Sequence, residues 1–331
     1  MMQQVMITGA RGFLGLSLVR LLRQHNIAVN ALVRGPHPEL SRLGVNVIIG
    51  NLADKVAIST AMENCDTVFH VASKAGVWGD EQEYIDTNVT GNQNIIDACQ
   101  SLGIKHLVYT STPSVIFSGK DEDGVDESTP YCSHPLNAYT RTKIIAERAV
   151  LAANSPQLKT CAIRPHLIWG PGDPHLIPRV IAKAKAGKLA LVGKEDKLVD
   201  TVYVENAALA HFLAAQELHQ DGKCAGKAYF ISNDEPITMA AMLNHILAAA
   251  QLPAVSKRVP ASLAYGIGAA LETVYRFASL QQEPAMTRFV AKQLSTSHWF
   301  DISAAKRDFG YHAPITIAQG MAQLKQSFNQ S

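Results

Sequence analysis

The sequence contains no block of like charges and no Cys-x-x-Cys pair. Lys and Arg total 30 against 28 Asp and Glu, a formal net charge of +2. That balance offers no basic arm for nucleic acid. The five cysteines, Cys65, Cys99, Cys132, Cys161 and Cys224, are odd in number and widely scattered. The pattern fits free thiols in a reducing compartment rather than a disulfide framework. Ahead of the strand-like run Gln4–Thr8 there is no charged segment, apolar stretch or cleavage site of a secretory leader, so a cytoplasmic location is expected. The stretch from Pro260 to Leu280 is rich in apolar residues but interrupted by Glu272 and Arg276, and its uninterrupted apolar part, about a dozen residues, is too short for the ~20 of a membrane span. His70, His106, His166 and His175 lack metal-ligand spacing, and no metal is expected. Internal repeats and low-complexity linkers are also absent.

What is present is a regular alternation. Of the 331 residues, 47% are hydrophobic, enough for a sizeable core in one large domain or two lobes around a cleft. β-rich runs are predicted at Val5–Thr8, Ile27–Val33, Val45–Ile49, Thr67–Val71, His106–Thr110 and Thr160–Ile163. Helical periodicity lies between them, as at Phe13–Leu22 and Asn88–Gln100. Repeated βαβ units with right-handed crossovers predict an α/β, doubly wound parallel sheet of the Rossmann type. Past Arg164, prolines 165, 171, 174 and 178 loosen the rhythm. Helices are predicted at Asn206–Glu217, Met239–Ala250 and Ser262–Leu280, with strand-like pieces at Leu198–Val202 and Ala228–Ile231. The expected division is a dinucleotide-binding domain over 1–165, with 198–218 returning to it, and a smaller, mainly helical substrate lobe over 166–331.

The first strand runs into Gly9-Ala10-Arg11-Gly12-Phe13-Leu14-Gly15 and then a helix. Glycines here permit a sharp turn, close approach of backbone to a pyrophosphate, and tight helix packing. The helix N-terminus offers free N–H groups to phosphate. The spacing is G-x-x-G-x-x-G, and its place between strand and helix gives it weight that a glycine triplet alone lacks. At the end of the second strand, where an acid would grip the ribose 2′-hydroxyl of NAD, the sequence has Arg34. A guanidinium suits a 2′-phosphate, and Arg11 in the glycine turn can face the same group. NADPH is therefore expected over NADH, with NADH and a merely solvated Arg34 as the alternative.

Tyr139 and Lys143 lie four apart in a helical pattern and so share a face. A phenol titrates near about 10, and a neighbouring ammonium is expected to lower that value toward the range of a general acid/base. The strand before them ends in Thr110-Ser111-Thr112-Pro113-Ser114. Any of Ser111, Thr112 or Ser114 can supply a third hydroxyl.

These motifs, with Asn88-Val89-x-Gly91 and Arg164-Pro165-x-x-Ile168-x-Gly170-Pro171, resemble the extended short-chain dehydrogenases/reductases, and within them the 3β-hydroxysteroid dehydrogenase-like branch. The resemblance covers nearly the whole chain. Ala75-Gly76-Val77-Trp78-Gly79 and Tyr109-Thr110-Ser111-Thr112-Pro113-Ser114-Val115 are similar to the 2-alkyl-3-oxoalkanoate reductases of bacterial long-chain olefin biosynthesis. These work with a β-lactone synthetase and a β-lactone decarboxylase.

The resemblance implies catalytic roles for Tyr139, Lys143 and Thr112. It implies pyrophosphate contacts at Gly9, Gly12, Phe13, Leu14 and Gly15, and 2′-phosphate contacts at Arg34. Asn51 and Leu52 stand where the family usually has Asp-Leu against the adenine, which weakens that hydrogen bond. Val71, Ala72 and Asn88 would line the cofactor, and Pro165, His166 and Ile168 the nicotinamide. Thr142 replaces a common serine. The expected reaction is NADPH-dependent reduction of a 2-alkyl-3-oxoalkanoate to the 3-hydroxy acid. The alternatives are a 3β-hydroxysteroid dehydrogenase, a nucleotide-sugar epimerase or dehydratase, and a non-catalytic dinucleotide sensor. A homodimer is implied by the relatives. The stretch Pro260–Leu280 reads as a buried helix, a lid over a hydrophobic substrate, or an interfacial helix in peripheral contact with a membrane.

Overall fold

The computed structural model describes residues 2–329. Seven parallel strands form the main sheet: β1 (Gln4–Thr8), β2 (Ala28–Val33), β3 (Asn46–Ile49), β4 (Thr67–His70), β5 (His106–Thr110), β6 (Lys159–Pro165) and β7 (Lys227–Ile231). Their spatial order is β7-β6-β5-β4-β1-β2-β3, so the direction of winding reverses beside β1. Ligands bind outside the strand C-termini at such a reversal.

Alternation along the strands sorts two cores. Val5 and Ile7 of β1 face helices α1 (Phe13–Gln24) and α5 (Val204–His219), meeting Leu14, Leu18, Leu22, Ala207 and Ala214. Met6 points the other way, toward the helices α2 (Lys55–Met62), α3 (Gly91–Ser101) and α4 (Ala138–Ala152) through Ile58, Ile95 and Val150. Side chains on a strand alternate faces, so each strand serves both layers.

The predicted strand at Ala228–Ile231 is β7, paired with β6 from Lys227 to Ile231 at the edge of the large sheet. The single run predicted at Leu198–Val202 divides in two. Leu198–Val199 joins a small sheet with Ile237–Thr238, His298–Phe300 and Glu122–Val125, whereas Val202–Tyr203 pairs with Ile168–Trp169. A separate core gathers Trp169, Tyr203, Ile246, Leu247, Met321 and Leu324, with α6 (Met239–Ala249) at its centre.

Helix α7 spans Ala261–Phe277, ending three residues before the predicted limit. It is not the buried helix that composition allowed. Only Ala264, Gly268 and Glu272 are buried, one residue per turn. A Cβ on Gly268 would lie 2.6 Å from the Thr287 carbonyl carbon, so the backbones touch there. Glu272 locks the contact by accepting from Arg288 N at 2.6 Å and Nε at 2.8 Å. The outer face exposes Leu263, Ile267, Val274 and Phe277. No helix of the described residues is long and apolar enough to cross a membrane.

Candidate active site

The glycine turn is a cradle that side chains would fill. Gly9 has φ +73°, and a Cβ there would sit 2.8 Å from Ala72 N; one on Gly15 would sit 2.1 Å from the Gly9 carbonyl oxygen. Gly12 caps α1 without a side-chain hydrogen bond, leaving the first N–H groups of the helix for an anion. Thr8 ties the turn to the end of β4: its hydroxyl accepts from Ala72 N at 3.0 Å and pairs with His70 Nδ1 at 2.8 Å. Burial lowers His70 to about 3, with Lys143 adding to the effect, so the ring stays neutral.

Arg11 and Arg34 flank the same opening, both exposed. Arg11 reaches the Gly35 carbonyl at 3.5 Å, and among the described residues neither guanidinium forms an ion pair with a carboxylate. Asn51 Oδ1 is engaged within its own turn by Ala53 N at 2.8 Å. The Leu52 carbonyl accepts from Asn94 at 2.8 Å.

On α4, Asn137 caps the helix by accepting from Thr140 N at 2.7 Å and so sets the phase of Tyr139 and Lys143. Tyr139 is partly buried, and the Thr112 side chain lies close enough to oppose the rise in its pKa. Thr112 also bonds Ser114 N and Oγ, both at 3.2 Å. The Ser111 hydroxyl instead faces Glu147. Of the three hydroxyls left open by the sequence, Thr112 is the one that acts on the Tyr139 phenol.

One expectation is corrected. Lys143 does not lower the phenol. Burial raises Tyr139 above its usual value, and only the Thr112 side chain opposes that rise. Lys143, 1% exposed, donates to the Thr110 carbonyl at 2.5 Å and lies 4.2 Å from the Tyr109 ring centroid. Its own value is pushed down to about 7 by burial, against the pull of Glu147.

Asn88 sits in a widened π turn, Ile85–Thr90. It accepts from Lys74 N at 2.7 Å and donates to Lys74 O at 3.0 Å and Thr142 Oγ1 at 3.1 Å. It thus fastens the loop after β4 to the helix that carries Tyr139. Pro165 ends β6, and Ile168 begins the next short strand. The His166 imidazole is turned into the protein, bonded to His298 Nδ1 at 2.7 Å and set edge-on to Phe300. His298 Nε2 meets the Gln293 carbonyl at 2.8 Å. A carbonyl only accepts, so His298 is protonated at Nε2 and His166 donates through its own Nε2. The His166 ring is therefore committed inside the protein, and its backbone N–H donates to the Ile231 carbonyl at 3.2 Å.

Sequence reasoning passed over Thr8, His70, Tyr84 and Glu147. Tyr84 donates to the Trp78 carbonyl at 3.1 Å, and burial, with Glu283 adding, pushes its phenol up to about 12. Glu147 forms a buried ion pair with Arg164 and accepts from Tyr131 at 2.7 Å. A cavity of about 630 Å³ lies elsewhere, lined by Glu127, Tyr131, Lys227 and Arg307 but by none of Thr112, Tyr139 or Lys143.

A glycine cradle on a parallel sheet, with a phenol and a lysine one turn apart on the helix after β5, fits hydride chemistry on a dinucleotide, and comparison with known proteins agrees. Residues 6–259 match the 3-beta hydroxysteroid dehydrogenase/isomerase family. The chain belongs to that family. It is an oxidoreductase of the extended short-chain type. It is 58% identical to a 2-alkyl-3-oxoalkanoate reductase of Shewanella oneidensis over 97% of this chain and 85% of that protein. It is 46% identical to another of that name from Stenotrophomonas maltophilia over 98% and 99%. Among solved structures, a UDP-glucuronic acid 4-epimerase of Bacillus cereus superposes with a TM-score of 0.77 at 18% identity, covering 99% of each chain. That likeness is one of fold.

Proposed function

We propose that this chain is an NADPH-dependent reductase that converts a 2-alkyl-3-oxoalkanoate to the 2-alkyl-3-hydroxyalkanoate. The observation that carries this reading is the near full-length likeness to the Shewanella reductase. Gly9, Gly12, Phe13, Leu14 and Gly15 hold the pyrophosphate, Arg34 and Arg11 the 2′-phosphate, and Asn51 and Leu52 the adenine. Val71, Ala72 and Asn88 line the adenosine and ribose side, and Pro165, His166 and Ile168 the nicotinamide side. The cofactor supplies hydride to the 3-keto carbon. Tyr139 donates its proton to the ketone oxygen, and its raised pKa keeps that proton in place at neutral pH. Thr112 would hydrogen-bond the same oxygen, and Lys143 would hold the ribose hydroxyls of the bound cofactor.

The 1–165 and 166–331 division is part of the proposal, with 198–218 and β7 serving the dinucleotide domain. So are a cytoplasmic location, a homodimer, and work alongside a β-lactone synthetase and decarboxylase. The test is oxidation of NADPH and NADH, in parallel, with a long-chain 2-alkyl-3-oxo acid and with a 3-ketosteroid. Preference for NADPH and the oxo acid is the expected result. Preference for the steroid overturns the substrate, and preference for NADH overturns the role of Arg34.

A further inference from the structure

Two segments far apart in sequence meet beside the candidate catalytic residues. Trp78, in the loop after β4, donates from Nε1 to the Leu280 carbonyl at 3.0 Å across 202 residues. Its indole packs edge-on against Tyr275, centroids 6.1 Å apart, and the Arg276 guanidinium lies 5.8 Å from it. The loop is fixed at its base, where Asn88 holds both polar groups of the Lys74 backbone and also Thr142 on α4. At its tip, Tyr84 donates to the Trp78 carbonyl at 3.1 Å, and Glu81, three residues past Trp78, pairs with Arg141 on α4. The segment of Trp78 is therefore tied to α4 at Arg141 and Thr142, two and three residues past Tyr139, and its indole meets the residues that follow α7. The far segment is anchored as well, by the ion pair of Glu283 with Arg179 at 2.6 Å.

We propose that Trp78 is a specificity-determining residue: its indole, braced by Leu280 and Tyr275, forms the wall that receives the alkyl branch of the substrate. The proposal rests on the reductase reading above and goes beyond it. An indole and a phenol ring present large, rigid apolar faces with little conformational freedom to lose. A saturated chain gains by covering them, whereas a polar sugar would strand its hydroxyls there. The Trp78–Leu280 bond is solvent-exposed, so the wall can shift to fit a chain without leaving a buried donor unpaired.

The test compares kcat/KM at saturating NADPH for substrates with a methyl and with a decyl branch, in wild type, Trp78→Phe and Trp78→Ala. The ratio of decyl to methyl should fall by about tenfold in Trp78→Ala, through KM, and by less in Trp78→Phe, which keeps a ring. NADPH affinity and the methyl-branched kcat should stay at wild-type level, which guards against misfolding. An unchanged ratio overturns the proposal. A second readout is independent of turnover: the difference in tryptophan emission between wild type and Trp78→Phe, on adding a long-chain saturated fatty acid to the NADP⁺-bound enzyme. A shift in that difference supports the wall, and its absence overturns it. Should wild type reduce no oxo acid at all, the reductase reading fails, while the emission readout still reports on Trp78.

Discussion

Lys143, one helical turn beyond Tyr139, gives its ammonium to the Thr110 carbonyl at 2.5 Å. That bond joins α4 to the end of β5, and burial rather than the ammonium governs the phenol. Burial then acts on both groups in the direction of neutrality: Tyr139 is raised and Lys143 falls to about 7. The free enzyme at neutral pH holds a protonated phenol, as reduction needs, and a lysine near half-charge.

The value of about 7 fixes a pH dependence. Below it Lys143 is charged and can hold ribose hydroxyls as a triple donor; above it the charge is lost. kcat/KM for NADPH, which reports the free enzyme, should decline as pH rises through about 7. Lys143→Met should abolish that decline along with most activity. Tyr139→Phe should reduce kcat by at least ~10³-fold, within the range of lost general acid catalysis. NADPH affinity, read by fluorescence titration, should remain. An active Tyr139→Phe enzyme would remove the phenol from the mechanism.

Arg34→Ala should raise the KM for NADPH by about tenfold to a hundredfold, the loss of a charge-assisted phosphate contact, and leave the KM for NADH nearly unchanged. Arg11→Ala should act in the same direction and more weakly, because its guanidinium also leans on the Gly35 carbonyl. Equal effects on both cofactors would assign these arginines to the shared pyrophosphate instead.

Gly15→Ala tests the cradle. The added methyl would meet the Gly9 carbonyl oxygen at 2.1 Å, and backbone on both sides cannot rotate aside as a side chain can. The variant should lose at least about 2 kcal/mol of stability in urea unfolding, at the level of an overpacked core. It should also bind NADPH weakly even where folded.

Much of this arrangement was legible because its signals are local. The β-rich runs, the glycine turn and the Tyr139/Lys143 spacing each depend on residues within a few positions of one another. What was not legible depends on partners distant in sequence. His166 was placed at the nicotinamide, yet its ring pairs with His298, 132 positions away. Ala228–Ile231 has the composition of any short strand, and only the vacant edge of β6 brings it into the large sheet. The phenol was expected to fall because proximity to a lysine can be inferred from spacing, whereas burial, which reverses the shift, cannot.

Asp200 offers a stability test with a defined sign. Burial pushes its carboxyl up to about 7 from 3.8, although Oδ2 accepts from Phe300 N at 2.8 Å. A carboxyl raised on folding contributes stability that is full below its unfolded value and is lost as pH rises through the folded one. Asp200→Asn removes the ionisation and keeps an acceptor for Phe300. Relative to wild type, the variant should be more stable at about pH 8 than at about pH 5, measured as urea midpoints. The same difference at both values would mean that Asp200 is already ionised in the folded protein at the lower pH.

Glu147 and Arg164 are both almost fully buried and form an ion pair, Arg164 Nη2 to Glu147 Oε1 at 2.5 Å, with Nε to Oε2 at 3.0 Å. Breaking such a pair from one side strands a charge, so Glu147→Leu should destabilise by ~3–5 kcal/mol. Glu147→Leu with Arg164→Met removes both charges and should recover much of the loss, because the pair's attraction only offsets its own desolvation. Glu147 also supports the charged form of Lys143, one turn before it on α4. Its removal should therefore shift the pH-dependent decline in kcat/KM for NADPH to lower pH, in the single and the double variant alike. Recovery of stability without recovery of the pH profile would separate the two roles: Arg164 as the partner that Glu147 needs to be buried, and Lys143 as the group whose proton Glu147 holds.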